Sequence, residues 1–232
     1  MQGSHTVTTF ECETVTVSPA KKAIKPSSDN GSGDSPQLSH VVVAAGTPQE
    51  WLNFGSVDWE TRLDDIVRGA SVGGAQWITL LPYGGEVLSV TERLSLFEVI
   101  SDAVPLRLFG EGHLMRGVWQ KSSALAIIVD PSPNGQVRFA AILESLRMNN
   151  VTARNLDEAL LAQHVMSPAD VEPDLVVVFG PPDQLPTSLI WELGYSELVF
   201  LDLKWDDLSA SHLELAVDDF DRRHRRFGGL DS

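Results

Sequence analysis

Near its C-terminal end the chain reads Arg222, Arg223, His224, Arg225, Arg226, Phe227, Gly228 and Gly229. Arginine offers a planar fork of donors that matches phosphate oxygens, and glycine lets the backbone approach a ligand closely. The same cluster suits a solvated helix end, where positive charge is favoured by the helix dipole. Charge and spacing leave both readings open. A second candidate is Glu197, which opens an apolar run after Trp191 and Tyr195. Mg²⁺ takes several hard oxygen ligands and usually bridges to substrate phosphate, so Glu197 would need a facing carboxylate. Glu86, Glu111 and Asp202 are the candidates for it. The ordinary alternative is a solvated or amide-bonded glutamate at a strand start.

Two turns invite the same scrutiny. Gly46 and Thr47 follow the apolar run His40 to Ala45 and would let an anion near backbone amides, yet no cationic side chain accompanies them and Glu50 would repel it. The glycine spacing and lysine of a P-loop are absent, as is a dinucleotide fingerprint. The segment Gly180-Pro181-Pro182-Asp183-Gln184-Leu185-Pro186 is stiffened by prolines that also remove amide donors, so it reads as a structural turn. The six histidines show no metal-ligand spacing, and no serine sits in a G-x-S-x-G elbow.

These residues must be held by something, and the pattern of apolar runs says what. Candidate strands are 40–45, 76–81, 105–109, 124–129, 174–179 and 197–203. Several are continuously apolar, as parallel strands covered on both faces require. Helical periodicity falls on 58–70, 90–100, 136–148, 156–165 and 209–227, with Ser209 as a cap and Gly228 and Gly229 as a stop. Strands alternating with helices predict one α/β domain, 40–232, with a six-stranded, mostly parallel sheet flanked by helices. Residues 1–39, rich in Thr, Ser, Pro, Gly and Lys, predict a disordered tail.

Composition narrows the partners. The 232 residues hold 32 acidic and 17 basic side chains, a formal net charge of -15, which argues against nucleic acid and anionic membrane surfaces as main targets. Cys12 is the only cysteine, so no intrachain disulfide forms and a reducing, cytoplasmic setting is expected. The apolar runs are too short to span a bilayer, and the first residues lack the layout of a secretory signal.

Three segments carry a resemblance: Asp174 to Pro182 (DLVVVFGPP), Leu189 to Leu208 (LIWELGYSELVFLDLKWDDL) and Phe220 to Gly229 (FDRRHRRFGG). Together they resemble the closing part of the cis-prenyltransferase (undecaprenyl diphosphate synthase) family. The likeness runs over roughly 40–229, strong at the end and weak in the middle; His40 and Trp51 also fall at the spacing of the family's first motif. Members make long polyprenyl diphosphates from isopentenyl diphosphate and an allylic primer with Mg²⁺. The resemblance implies that the family's essential aspartate is replaced by Gly46 and a neighbouring arginine by Glu50. Two arginines that grip isopentenyl diphosphate fall at Val178 and Gln184, and a serine falls at Pro186. Glu197 matches a family glutamate that helps bind Mg²⁺.

Without those groups the chain is expected to be inactive alone. The departures resemble the accessory subunit of two-component enzymes, such as the Nogo-B-receptor-like partner of dehydrodolichyl diphosphate synthase, in which Phe-Gly-Pro precedes an acidic residue, as Phe179, Gly180, Pro181 and Asp183 do. That class contributes a C-terminal Arg-x-Gly motif to its partner's site, the form of Arg226-Phe227-Gly228. The resemblance therefore implies a non-catalytic subunit that needs no cofactor alone and works beside Mg²⁺ in the active complex. Its partners would be a catalytic cis-prenyltransferase and isoprenoid diphosphates, with any peripheral membrane association reached through the partner or the lipid. Two other readings stay open: a divergent prenyltransferase with an altered metal site, and a polyprenyl-diphosphate-binding or regulatory homodimer.

Overall fold

A computed structural model describes residues 38–194 and 196–227, all within one compact unit. Seven strands form one sheet: β1 (His40–Ala45), β2 (Trp77–Leu81), β3 (Leu106–Phe109), β4 (Arg116–Gln120), β5 (Ala126–Val129), β6 (Leu175–Phe179) and β7 (Glu197–Leu201), in the order β3-β4-β5-β2-β1-β6-β7. The α/β expectation holds, but the six-stranded, mostly parallel sheet does not. A seventh strand, β4, pairs antiparallel with both β3 and β5, which makes the sheet mixed. The helices are α1 (Pro48–Leu52), α2 (Ser56–Ala70), α3 (Val90–Ala103), α4 (Gly135–Met148), α5 (Glu158–Met166) and α6 (Ala210–Phe227). None of them, among the described residues, is long and apolar enough to cross a membrane.

The central strands are valine- and isoleucine-rich because both faces of the sheet are covered. Val41, Val43 and Ala45 of β1 join Leu175 and Val177 of β6 in a core with Leu63 and Ile66 of α2, Phe97 of α3 and Leu213 and Phe220 of α6. The alternate residues Val42, Ala44, Val176 and Val178 point to the other face. There, Ile128 of β5 packs with Ile142 and Leu146 of α4 and Val165 of α5. Local signals agree with these placements: Ser89 and Glu92 form a reciprocal capping box at α3, and Asn134 and Asp157 cap α4 and α5.

Beneath α4 lies a feature the apolar pattern does not announce. Asp130, just past β5, is 1% exposed and is surrounded by three guanidinium groups. Arg116 Nε donates to it at 2.8 Å, Arg138 Nη1 at 3.3 Å, and Arg93 Nη1 lies 3.9 Å away. Arg138 also donates to Glu192 at 2.5 Å. Burial by itself would raise the Asp130 carboxyl, but the three arginines outweigh it and hold the pKa at about 2.

The first described residues belong to the core. Leu38 is 1% exposed, and Asp174 Oδ2 accepts from the amides of Ser39 and His40 at 2.7 and 3.0 Å. His40 is buried between Thr79 Oγ1 and the Val171 carbonyl, and burial pushes its pKa below the usual histidine value. A deletion of residues 1–37 is therefore expected to leave the thermal transition within about 2 °C of the full chain. Extending it through Ser39 removes a buried leucine, which typically contributes about 2–5 kcal/mol, and should lower the transition clearly. Differential scanning calorimetry of the two truncations checks both outcomes.

Candidate functional site

Open sheets present their ligands beyond the carboxyl ends of the strands, where the order of connections reverses. Here the ends of β1, β6 and β7 surround a cleft that leaves about 430 Å³ to the centres of water-sized spheres. Gly46, Thr47 and Glu50 form one wall, Tyr83, Gly180 and Pro181 a second, and Asp202, Lys204, Trp205 and Asp207 a third. The wall at β1 is a tight turn, with the Tyr83 amide donating to the Gly46 carbonyl at 2.7 Å. Thr47 accepts from the Glu50 amide at 3.2 Å and donates to the Glu50 carboxylate at 2.9 Å, so its hydroxyl is committed to capping α1. The Tyr83 hydroxyl donates to the Gln184 carbonyl at 3.0 Å and ties the loop after β6 to the one after β2.

Aromatic rings fill the floor. Trp205 lies with ring centroids 5.9 Å from Trp51, 6.1 Å from Trp59 and 5.4 Å from Phe54. Gly46 has a φ of +65°, and a Cβ placed on it would meet Trp205 Cγ at 2.9 Å and Trp51 Nε1 at 3.0 Å. Glycine is thus required there twice over, by its left-handed backbone and by the rings against it. Arg62 lies under this floor with its guanidinium 4.5 Å from the Trp205 ring, donating to the Leu208 carbonyl at 2.7 Å and the Asp206 carbonyl at 3.3 Å. Its charge is spent on holding the aromatic layer.

The open wall has the wrong sign for a phosphate ligand. Glu50, Asp202 and Asp207 face a single cation, Lys204, so a diphosphate entering the cleft meets net repulsion. These carboxylates do not converge on a metal either. Among the described residues no three His, Cys, Asp or Glu side chains are grouped as ligands, and a divalent ion wants several oxygens at once.

Comparison with known proteins places this geometry. Residues 134–228 match the family model described as "Putative undecaprenyl diphosphate synthase". The chain is 25% identical to isoprenyl transferase 2 of Bradyrhizobium diazoefficiens over 194 residues, covering 71% of this chain and 77% of that one. It is 36% identical over 85 residues to the ditrans,polycis-undecaprenyl-diphosphate synthase of Lactiplantibacillus plantarum, covering 37% of this chain and 32% of that protein. The fold is that of a probable undecaprenyl diphosphate synthase from Campylobacter jejuni, with a TM-score of 0.51, 14% identity, and coverage of 82% of this chain and 98% of the other. The family-model match and the sequence relatives point to the cis-prenyltransferase family, and the structural likeness shows the fold. The L. plantarum synthase and the Escherichia coli synthase are matched over only about a third of their own length, 32% and 36%.

Within the cis-prenyltransferase frame, the residues singled out from sequence do not assemble. Val178 is fully buried on the sheet face away from α2, packed with Val42, Ala44 and Leu81, and presents no group to the cleft. Gln184 is exposed on the loop after β6, and Pro186 is buried. Glu197 pairs in register with Leu175, whereas Gly46 follows Ala45, which pairs with Phe179 four residues further along. Gly46 is one residue further still, so at about 3.3 Å per residue the two lie roughly 16 Å apart along the sheet, at opposite ends. Of the proposed partners for Glu197, only Asp202 reaches the cleft; Glu86 has its backbone bonded to Gln49 instead, with the Gln49 side chain donating to the Glu86 carbonyl and accepting from its amide. Arg226 lies in the last turn of α6, and Gly228 falls outside the described residues. Part of the basic cluster is neutralised on its own helix, where Arg223 meets Asp219 at 2.5 Å and Arg222 meets Asp218 at 4.0 Å. Sequence reading gave no role to Arg62, or to Trp205 although it lies in the segment 189–208 that carries the resemblance.

Proposed function

We propose that this chain is a non-catalytic subunit of a heteromeric cis-prenyltransferase that makes long-chain polyprenyl diphosphate. The observation that carries the reading is the wall at Gly46, where a tryptophan stands in contact with the position from which an acidic side chain would have to project. Transfer of a prenyl group leaves diphosphate behind, and an enzyme accelerates that step by stabilising the developing charge with cations and donors. This cleft offers three carboxylates against one lysine. Chemistry would then belong to a catalytic partner, which would also hold any Mg²⁺, and the chain described here would contribute stability, shape and the arginine-rich end of α6.

Arg226 is the residue proposed to reach the partner's diphosphate site, with Gly228 allowing the close approach. An arginine at a helix end contributes typically about 1 kcal/mol or less to stability through the dipole. A bidentate contact to diphosphate that tightens as charge develops would appear in the rate instead. In a complex reconstituted with a catalytic cis-prenyltransferase subunit, Arg226→Ala is expected to keep heteromer stoichiometry and lower kcat/KM for isopentenyl diphosphate about ten- to a hundredfold, roughly 1.4–2.7 kcal/mol. Arg226→Lys should recover part of the loss, because an ammonium keeps charge without the planar fork. The assay is size-exclusion chromatography with light scattering followed by initial rates; wild-type rates in an intact Arg226→Ala complex would overturn the shared-site role. Product formation by the purified chain alone, with isopentenyl and allylic diphosphates and Mg²⁺, would overturn the non-catalytic reading itself.

A further inference from the structure

His40 is 1% exposed at the start of β1, and both of its ring nitrogens are engaged. A carbonyl can only accept, so Nδ1, 3.0 Å from the Val171 carbonyl, carries the ring's hydrogen. Nε2 is then the lone-pair nitrogen, and Thr79 Oγ1 donates to it at 2.9 Å. The neutral imidazole thus ties β1 to β2 and to the segment ahead of β6, with one hydrogen for each bond. A second ring proton has no place in this arrangement. It would sit on Nε2 and face the Thr79 hydroxyl, which would have to turn and leave its own hydrogen without its present acceptor.

Charge makes the same demand. Arg93, Arg116 and Arg138 bring three positive charges to the neighbouring network and Asp130 and Glu192 two negative ones, all on side chains at most 8% exposed. An imidazolium would add another positive charge to that interior, where burying an ion is strongly unfavourable. The charged groups that face His40 are Asp174 ahead of β6, Glu192 ahead of β7 and Arg116 of β4. Burial holds the histidine below its ordinary 6.5; the Val171 bond, Asp174 and Glu192 pull the other way, and Arg116 acts with burial. We propose that His40 is an acid-sensitive latch: neutral, it joins the start of β1 to β2 and to the segment ahead of β6, and its protonation in mildly acid solution releases that junction. The contacts released with it are those of the Ser39 and His40 amides on Asp174 Oδ2. The latch stands apart from the function proposed for the cleft.

A histidine that loses proton affinity on folding binds more protons in the unfolded chain, so its contribution is complete above about pH 6.5 and is lost as pH falls below that. With His40 neutral in the fold, acidification from pH 7 to pH 5 lowers the folding equilibrium constant about 25-fold. Three measurements on the full chain test the latch. Long-range proton–nitrogen spectra should show His40 as the neutral Nδ1–H tautomer at pH 7, and still neutral in the folded protein at about pH 5.5. Urea titrations should show the 25-fold loss in the wild type and at most about a threefold loss in His40→Asn, whose amide can still donate to the Val171 carbonyl but does not titrate. Hydrogen exchange at pH 5.5 should find the Ser39 and His40 amides losing protection ahead of Val42 and Val43. An imidazolium signal from folded protein, equal acid losses in the wild type and His40→Asn, or a uniform loss of protection along β1 would each overturn the latch. Should His40→Asn not fold, the wild-type spectra and exchange decide by themselves.

Discussion

Replacing Gly46 by aspartate is expected to yield a less stable protein that still makes no polyprenyl product. Any L-residue forced to a φ of +65° is strained by about 1–2 kcal/mol, and overpacking a filled site typically adds about 1–3 kcal/mol. The sum, about 2–5 kcal/mol, corresponds to a fall in melting temperature on the order of 10 °C for a domain of this size. Gly46→Asp combined with Trp205→Ala removes the nearest clash, Cγ at 2.9 Å, while the Cβ at 3.1 Å stays, and should recover part of the stability relative to the sum of the single changes. Neither form should turn over isopentenyl diphosphate, because Glu50, Asp202 and Asp207 still oppose the diphosphate. Thermal melts paired with a radiolabelled product assay decide the matter. A stable, active Gly46→Asp variant would mean that one acidic group was all the cleft lacked.

Asp130→Asn is expected to have a comparable or larger effect on stability with no effect on the cleft. The substitution keeps the shape of the side chain but leaves three buried guanidinium groups facing one another, and breaking such a cluster from one side is worth about 3–5 kcal/mol, or roughly 6–20 °C. Its pH dependence separates charge from shape. Arg116, Arg138 and Arg93 hold the folded carboxyl at about 2 against an ordinary 3.8, despite the opposing effect of burial. A group depressed in the folded state binds more protons when unfolded, so its contribution, about 2 kcal/mol, is complete above pH 4 and disappears as pH falls toward 2. Urea denaturation from pH 5 to pH 2 should therefore show a steeper acid loss for the wild type than for Asp130→Asn. Parallel profiles would place the stabilising effect in packing and not in charge.

How far the sequence could be read depended on whether a residue's role was local. Apolar runs located six strands, most plainly the central parallel ones, because strands covered on both faces are written as runs of Val, Ile and Leu; β1 is bounded by 40–45 in sequence and structure alike. β4 escaped because it reads Arg116-Gly117-Val118-Trp119-Gln120, with a glycine where a strand ordinarily prefers a branched residue. The structure explains that glycine: a Cβ there would meet Leu106 Cδ2 at 2.6 Å and Phe97 Cε1 at 3.0 Å, so α3 and β3 can close over it only if it is bare. The loss of an acidic group at Gly46 was legible from the family pattern, and the ring now in contact with it was not, because Trp205 comes from the far side of β7. Glu197 shows a related limit. Matching a motif gives a residue's identity, while the register of β6 and β7 sets its level along the sheet. The Asp130 network was invisible because its members lie on α3, β4, α4 and two loops, with no common spacing.

The aromatic floor also gives the cleft its own optical reporter. Trp51, Trp59 and Trp205 are half of the chain's six tryptophans, all buried, with centroids 5.8–6.1 Å apart. Indoles this close share excitation, so their near-ultraviolet circular dichroism should contain a coupled band and their emission should be blue and strongly depolarised by transfer among the rings. Anything that opens the wall at Gly46, whether a docked partner or a ligand, must separate Trp205 from its neighbours and change those spectra at once. The state of the site can then be followed in unlabelled protein, in real time, without any turnover to watch.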